Sequence, residues 1–215
     1  MNEGTTTCYN VSWERSFHLA ASLASSIKRD GYVPDLIIAV SRGGLVPARI
    51  VADFMLQREL ICLRAEHWGV GEKMPERVKI RGSTPELRSK KVLVVDDVAD
   101  SGDTLREITK YLREGGADQV KTAVLHYKKT STFKPEYWAE EMDEWLWIVY
   151  PWSIYEDTTH FIREIIRERP RVETEQIQDL LNRNYKLEID KRLLTTILTE
   201  MRLDGMIHQQ ADTLR

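Results

Sequence analysis

Apolar residues follow two alternating rhythms along the chain. Unbroken apolar runs cover residues 36–40 and 92–95, and residues 60–64 and 120–127 also read as apolar-rich strands. Runs of this length suit strands buried on both faces. Between them the apolar positions return at helical spacing. Trp13, Phe17, Ala20, Ala21, Ala24 and Ile27 mark one face of a helix over 12–29, with Ser12 as its N-cap, Gly31 as its stop and Pro34 fixing the turn. A second helix is expected over 48–58, with Pro47 suited to its first turn. Leu105, Ile108, Tyr111 and Leu112 share one face of a third, which Gly115-Gly116 stops. Residues 145–150 read as a further, aromatic-rich strand. Strands alternating with helices predict an α/β domain with a mostly parallel sheet and helices on both faces. The strand order is not legible from this pattern.

Two stretches break the rhythm. Residues 67–84 carry Gly69, Gly71, Pro75, Gly82 and several charges, and only Val78-Lys79-Ile80 looks extended. A long loop or hairpin is expected there, and loops of that length in compact domains are usually functional or disordered. After Pro151-Trp152 the pattern turns helical. Phe161, Ile162, Ile165 and Ile166 form one stripe, ended by Pro170. Ile177, Leu180 and Leu181 form a second, and Leu193, Leu194, Ile197, Leu198 and Met201 a third that Gly205 caps. Met206-Ile207-His208 reads as a terminal strand. Three short helices and a strand resemble a winged-helix or helix-turn-helix unit. The expected division is residues 1–155 and a small helical, winged-helix-like addition over 156–215, with a soft boundary near 153–160.

Composition acts mainly by exclusion. Among 215 residues, 42% are hydrophobic and 30% charged, enough for a packed core and against disorder. The net charge of −3 gives no global attraction to nucleic acid. Cys8 and Cys62 make neither a disulfide framework nor a zinc cluster. The start lacks a secretory pattern and no apolar run is long enough to span a membrane, so a soluble, cytoplasmic protein is expected. From Arg171 onward seven basic residues stand against eight acidic ones. That balance is poor for neutralising phosphates. Over 190–202 the basic residues are Lys191, Arg192 and Arg202, beside Thr195, Thr196 and Thr199. A structural or dimerising addition is therefore favoured over a DNA-reading one.

The candidate chemistry centres on residues 92–105, Val-Leu-Val-Val-Asp-Asp-Val-Ala-Asp-Ser-Gly-Asp-Thr-Leu. A strand expected to end near Asp96-Asp97, a loop of small polar residues and a helix N-terminus together form an anion site. Carboxylates beside it suit hydroxyls or a divalent cation. The ligand so described carries a phosphate and vicinal hydroxyls, as a sugar phosphate does. Ser41-Arg42-Gly43-Gly44 forms a second anion loop after a strand. Its glycines admit close backbone approach and Arg42 offers a fork for phosphate oxygens.

Val-Val-Asp-Asp-Val-Ala-Asp-Ser-Gly-Asp-Thr resembles the phosphoribosyl-pyrophosphate (PRPP) motif of type I phosphoribosyltransferases. Ser-Arg-Gly-Gly-Leu-Val-Pro resembles the pyrophosphate loop of the 6-oxopurine, xanthine-guanine branch. The resemblance covers roughly residues 9–155 and not the tail. It implies transfer of the 5-phosphoribosyl group of PRPP to hypoxanthine, guanine or xanthine, with release of pyrophosphate and with Mg²⁺ as cofactor. It assigns Ala99, Asp100, Ser101, Gly102, Asp103 and Thr104 to the 5′-phosphate, and Ser41, Arg42 and Gly43 to pyrophosphate. Asp96 and Asp97 would hold the ribose hydroxyls, Asp97 also helping to place the metal. Asp100 would be the catalytic base, and Lys128, Trp147 and Ile148 would bind the purine. Where many relatives have proline after that lysine, this chain has Lys129. The 67–84 stretch corresponds to a closing hood, whose Lys73, Arg77, Lys79 and Arg81 are candidates to meet pyrophosphate. Relatives of this kind are commonly homo-oligomers, dimers or tetramers. The alternative is a transcription regulator that senses PRPP or a nucleotide with the same fold; nucleic acid is the less favoured partner.

Overall fold

The rhythm of apolar runs and helical stripes produces these elements in order: β1 (Cys8–Asn10), α1 (Trp13–Arg29), β2 (Leu36–Ser41), α2 (Leu45–Met55), β3 (Leu60–Trp68), β4 (Arg77–Arg81), β5 (Lys91–Ala99) and α3 (Asp103–Glu114). Then follow β6 (Gln119–Lys128), β7 (Tyr137–Met142), β8 (Trp147–Val149), α4 (Ile154–Glu168), β9 (Val172–Glu173), α5 (Ile177–Tyr185), α6 (Lys191–Leu203), β10 (Gln209–Gln210) and β11 (Thr213–Leu214). The computed structural model describes residues 6–68, 77–207, 209–210 and 213–214. Among these residues no helix is long and apolar enough to cross a membrane.

The chain divides into two units, Glu14–Trp145 and the pair of segments Met1–Trp13 with Leu146–Arg215. The expected boundary at 155/156 falls inside α4.

The larger unit is built on a six-stranded sheet of order β4-β3-β2-β5-β6-β7. Every pairing is parallel except that of β3 with β4. The long irregular stretch of the sequence thus contributes part of an antiparallel strand pair at the sheet edge, and its residues 69–76 lie outside the described residues. From β2 the chain turns to one side for β3 and returns to the other for β5. The ends of β2 and β5 therefore flank a switch point, where open α/β sheets bind ligands. Leu36, Ile38, Val40, Val92 and Val94 pack with Leu105, Ile108 and Leu112 of α3 in one core. The alternate residues Ile37, Ala39, Leu93 and Val95 are just as buried, so the second sheet face is covered too. Helix α2 packs against β2 and β5.

Two helix faces differ from the periodic reading. In α1 the buried side is Ser16, Leu19, Ala20, Leu23, Ala24 and Ile27. Trp13 and Phe17 are exposed, and Phe17 meets Phe54 edge-on at 5.6 Å. A helix apolar on two sides buries the side whose small alanines allow the closest approach. In α3, Thr109 is buried and Tyr111 half-exposed. Strand β7 carries charges at Glu140 and Glu141 and escaped the apolar-run reading; it forms the far edge of the sheet.

In the smaller unit β1 pairs with β8 in parallel, Cys8 opposite Trp147 and Asn10 opposite Val149. Residues 145–150 therefore contribute a strand, but to this two-stranded sheet and not to the central one. Cys8 and Val149 join Phe161, Ile165, Leu181, Ile197 and Met201 in a single core. Both cysteines are free thiols, and burial, helped by the Asp157 charge, pushes the Cys8 thiol up to about 12. The C-terminal addition consists of α4, α5 and α6 with an antiparallel sheet of order β10-β11-β9, where the sequence suggested a single strand.

Helix α6 is capped by Asp190, whose carboxylate accepts the N–H groups of Arg192 and Leu193, both at 3.0 Å. Asp190→Ala should therefore lower the unfolding free energy by about 1 kcal/mol. Urea unfolding followed by circular dichroism measures it; an unchanged midpoint would show that the cap contributes nothing.

Candidate active site

Strand β5 runs through Ala99, so Asp96 and Asp97 lie on the strand and not after it. The two carboxylates lie within hydrogen-bonding reach of each other and are exposed unequally. Asp96 is buried, and its Oδ1 accepts the Asp97 N–H at 2.9 Å. Burial and the adjacent Asp97 charge hold the Asp96 carboxyl well above the usual carboxylate range. Asp97 is half-buried.

The loop after β2 closes against these acids because two of its residues lack a side chain. A Cβ on Gly43 would lie 2.2 Å from Asp97 Oδ2, and one on Gly44 would lie 2.4 Å from the Val95 carbonyl. Gly44 donates its N–H to the Val40 carbonyl at 2.8 Å and stands immediately before α2. The Ser41–Arg42 peptide is cis, and the Arg42 side chain is exposed at the loop. Thus Gly43 meets Asp97, and the Gly44 backbone meets Asp96, at the switch point.

The loop between β5 and α3 turns on Gly102, which has φ +87° and precedes α3. Its Cβ would lie 2.5 Å from that of Phe133 and 2.6 Å from Ser131 Oγ, so glycine alone fits. Residues 131–133 brace the turn: Thr132 gives both its N–H and its hydroxyl to the Ser101 carbonyl, each at 2.9 Å. Nothing in the spacing of Ser131, Thr132 and Phe133 pointed to this role. The first-turn N–H groups of α3, from Asp103, Thr104 and Leu105, lie at the positive end of the helix dipole. An acid at this position opposes an incoming phosphate, but Arg106 pairs with Asp103 at 2.5 Å and offsets its charge. Ala99 is buried, while Asp100 and Ser101 are exposed.

Asp100 faces β6. Lys128, at the end of that strand and only 3% exposed, places Nζ 3.0 Å from Asp100 Oδ2. A nearly buried ammonium needs such a partner. On the same strand face, two residues earlier, His126 lies fully buried 3.7 Å from Glu140. Burial, with help from Arg15 and Lys128, outweighs Glu140 and pushes this imidazole down to about 4. At neutral pH this face of β6 therefore presents the Lys128 cation beside an uncharged His126.

Trp147 and Ile148 belong to the smaller unit. The Trp147 ring stacks on His160, with centroids 5.4 Å apart, and donates its N–H to Asp157 at 3.0 Å. Ile148 is buried in β8. Of the hood cations, Arg81 pairs with Glu66 at 2.7 Å and Lys79 is exposed. Arg77 opens β4, and Lys73 lies outside the described residues.

Two glycine-dependent loops thus follow β2 and β5 at the switch point of a mostly parallel sheet, one of them closed against an acid pair. A phosphoribosyl transferase domain matches residues 11–158, and the chain belongs to that family. It is 30% identical over 148 residues to a xanthine-guanine phosphoribosyltransferase of Nitratidesulfovibrio vulgaris, across 67% of this chain and 84% of the relative. The fold is similar to that of a purine phosphoribosyltransferase from Pyrococcus horikoshii Ot3, with TM-score 0.61 and 29% identity over 67% of this chain and 93% of that one. It is also similar to a Neisseria gonorrhoeae protein crystallised with ppGpp, with TM-score 0.60 and 29% identity over 70% and 91% of the two chains. Residues beyond 158 lie outside the family match.

Asp96 yields a test. Its carboxyl has a raised folded pKa, so ionisation opposes folding. Asp96→Asn should be as stable as the parent below pH 3.8, the carboxyl's ordinary value. Its advantage should grow as pH rises towards the raised folded pKa and stay constant above it. A gain on the order of 1 kcal/mol corresponds to about 2–4 °C in Tm for a chain of this size. Calorimetry across pH checks it, and an asparagine variant that melts lower at neutral pH would contradict the assignment.

Proposed function

We propose that the chain is a purine salvage phosphoribosyltransferase that joins a 6-oxopurine (hypoxanthine, guanine or xanthine) to the ribose 5-phosphate of PRPP. The observation that carries the reading is the pairing within one unit of Gly43 with Asp97 and of Asp100 with Lys128. The family match and the purine-specific names of its relatives support it.

In this reading the first turn of α3 and the residues from Ala99 to Thr104 hold the 5′-phosphate. Ser41, Arg42 and Gly43 hold the pyrophosphate, and Asp96 and Asp97 orient the ribose hydroxyls. The bond from the anomeric carbon to pyrophosphate oxygen breaks as a purine ring nitrogen bonds to that carbon. Asp100 takes the proton that this nitrogen gives up, and its charge stabilises the positive sugar. Lys128 donates to the 6-oxo group. It disfavours a 6-amino purine, because two donors would then face each other. The stacking role of Trp147 and the edge contact of Ile148 rest on the resemblance, as does assembly into a dimer or tetramer.

Mg²⁺ belongs to the same reading. Among the described residues no cluster of three or more acidic, histidine or cysteine ligands occurs. An acid pair fits a cation that keeps several waters and takes its remaining ligands from substrate oxygens. The half-buried Asp97 is the better ligand, because Asp96 is held towards its protonated form. When bound, the ion would neutralise charge gathering on pyrophosphate.

Purified protein with PRPP, Mg²⁺ and a panel of bases should yield nucleotide from at least one 6-oxopurine and less from adenine. No product from any 6-oxopurine removes the purine assignment. Asp100→Ala should lower kcat by roughly 10²-fold, within the usual range for a lost general base, while the KM for PRPP stays within a few-fold. Near-normal turnover would remove Asp100 from the mechanism.

The ppGpp bound to the Neisseria gonorrhoeae protein motivates a second expectation. A nucleotide with two diphosphate groups can engage both anion loops at once. It should inhibit competitively with PRPP, and initial-rate kinetics at several PRPP concentrations distinguish this from noncompetitive inhibition or none.

A further inference from the structure

The Asp100 carboxylate has a second partner. Trp145 donates its indole N–H to Asp100 Oδ1 at 3.0 Å, while Lys128 holds Oδ2 at 3.0 Å. The same indole lies beneath the lysine, with Nζ 4.4 Å from the ring centroid. One side chain therefore touches both the acid and the cation. The three residues come from separate places: Asp100 just after β5, Lys128 at the end of β6, and Trp145 between β7 and β8. Trp145 is 48% exposed, so core filling does not explain its place. A large ring left half in water is held here by its polar edge and its π face.

We propose that Trp145 is a positioning residue that fixes the plane of the Asp100 carboxylate and steadies Lys128 for the base. The proposal rests on the purine phosphoribosyltransferase reading above. Rotation about the last torsion of an aspartate is soft, and a single bond leaves the carboxylate plane loosely defined. Donors from two different segments, one on each oxygen, define it. A carboxylate has about four acceptor sites, so these two bonds leave capacity for the proton of the purine ring nitrogen. Lys128 likewise has three donors and spends one on Asp100; the ring face attracts the ammonium without using a second one up. Trp145 thus orients the base-handling pair while leaving both members able to bind substrate.

Two substitutions separate the contributions. Trp145→Phe keeps a ring beneath Lys128 and removes the N–H. It should lower kcat about tenfold, equivalent to roughly 1.4 kcal/mol in the barrier. Its KM for the purine should stay within about twofold, because uniform binding is retained. Trp145→Leu removes both contacts and should lower kcat similarly while raising the purine KM several-fold. The KM for PRPP and the Tm should hold in both variants, as expected at a half-exposed position. A Phe variant with parental kcat overturns the proposal. So does a Leu variant with a lower purine KM, because the indole would then be occupying the place of the base. If the parent protein itself makes no nucleotide, the purine reading fails and this role falls with it. Parental turnover with an indifferent Phe variant sinks only the role of Trp145.

Discussion

The larger unit depends on how closely two backbones approach where β2 and β5 end. A methyl group on Gly43 or Gly44 would collide with Asp97 or with the Val95 carbonyl. Without that clearance the loop after β2 and the acids of β5 could not share one site. The parallel pairing of Ile37 with Leu93 and Ala39 with Val95 brings the two strand ends together. The apolar residues of both strands are buried on both faces of the sheet, which anchors the pair in the core. The site is thus a consequence of sheet topology, with glycine supplying the last ångström.

Electrostatics work against folding at the same place. Asp96 sits buried with Asp97 beside it, an arrangement that burial and like charge both oppose. Elsewhere charges are compensated: Asp103 by Arg106, Asp100 by Lys128 and Glu66 by Arg81. The acid pair lies where the proposed reading puts the ribose hydroxyls and a cation. Stability given up at a binding site in this way is a common trade.

Much of this was legible in the chain, for identifiable reasons. Strands buried on both faces read as apolar runs, which marked β2, β3, β5 and β6. The two strand-to-helix turns were legible because glycine beside small polar residues follows an apolar run in each. Other features left no such trace. β7 is an edge strand with charged residues, and β8 pairs with three residues near the N-terminus instead of joining the central sheet. The α1 face was misread because apolar residues occupy two sides of that helix. Trp145 and the brace of Ser131, Thr132 and Phe133 act across gaps in sequence that no local period records. Their roles depend on which crossovers lie side by side.

The pairing of β1 with β8 bears on how the polypeptide is made. Cys8 leaves the ribosome nearly 140 residues before its partner Trp147. The core that buries Cys8 and Val149 also needs Phe161, Leu181 and Met201, which come later still. Residues 14–145 have their own core and can form it while synthesis continues. The N-terminal strand must wait for the C-terminal helices. Cutting the chain after residue 158, where the family match stops, would strip that strand of most of its core. The tail is therefore not a detachable addition but the second half of a unit that the N-terminus begins.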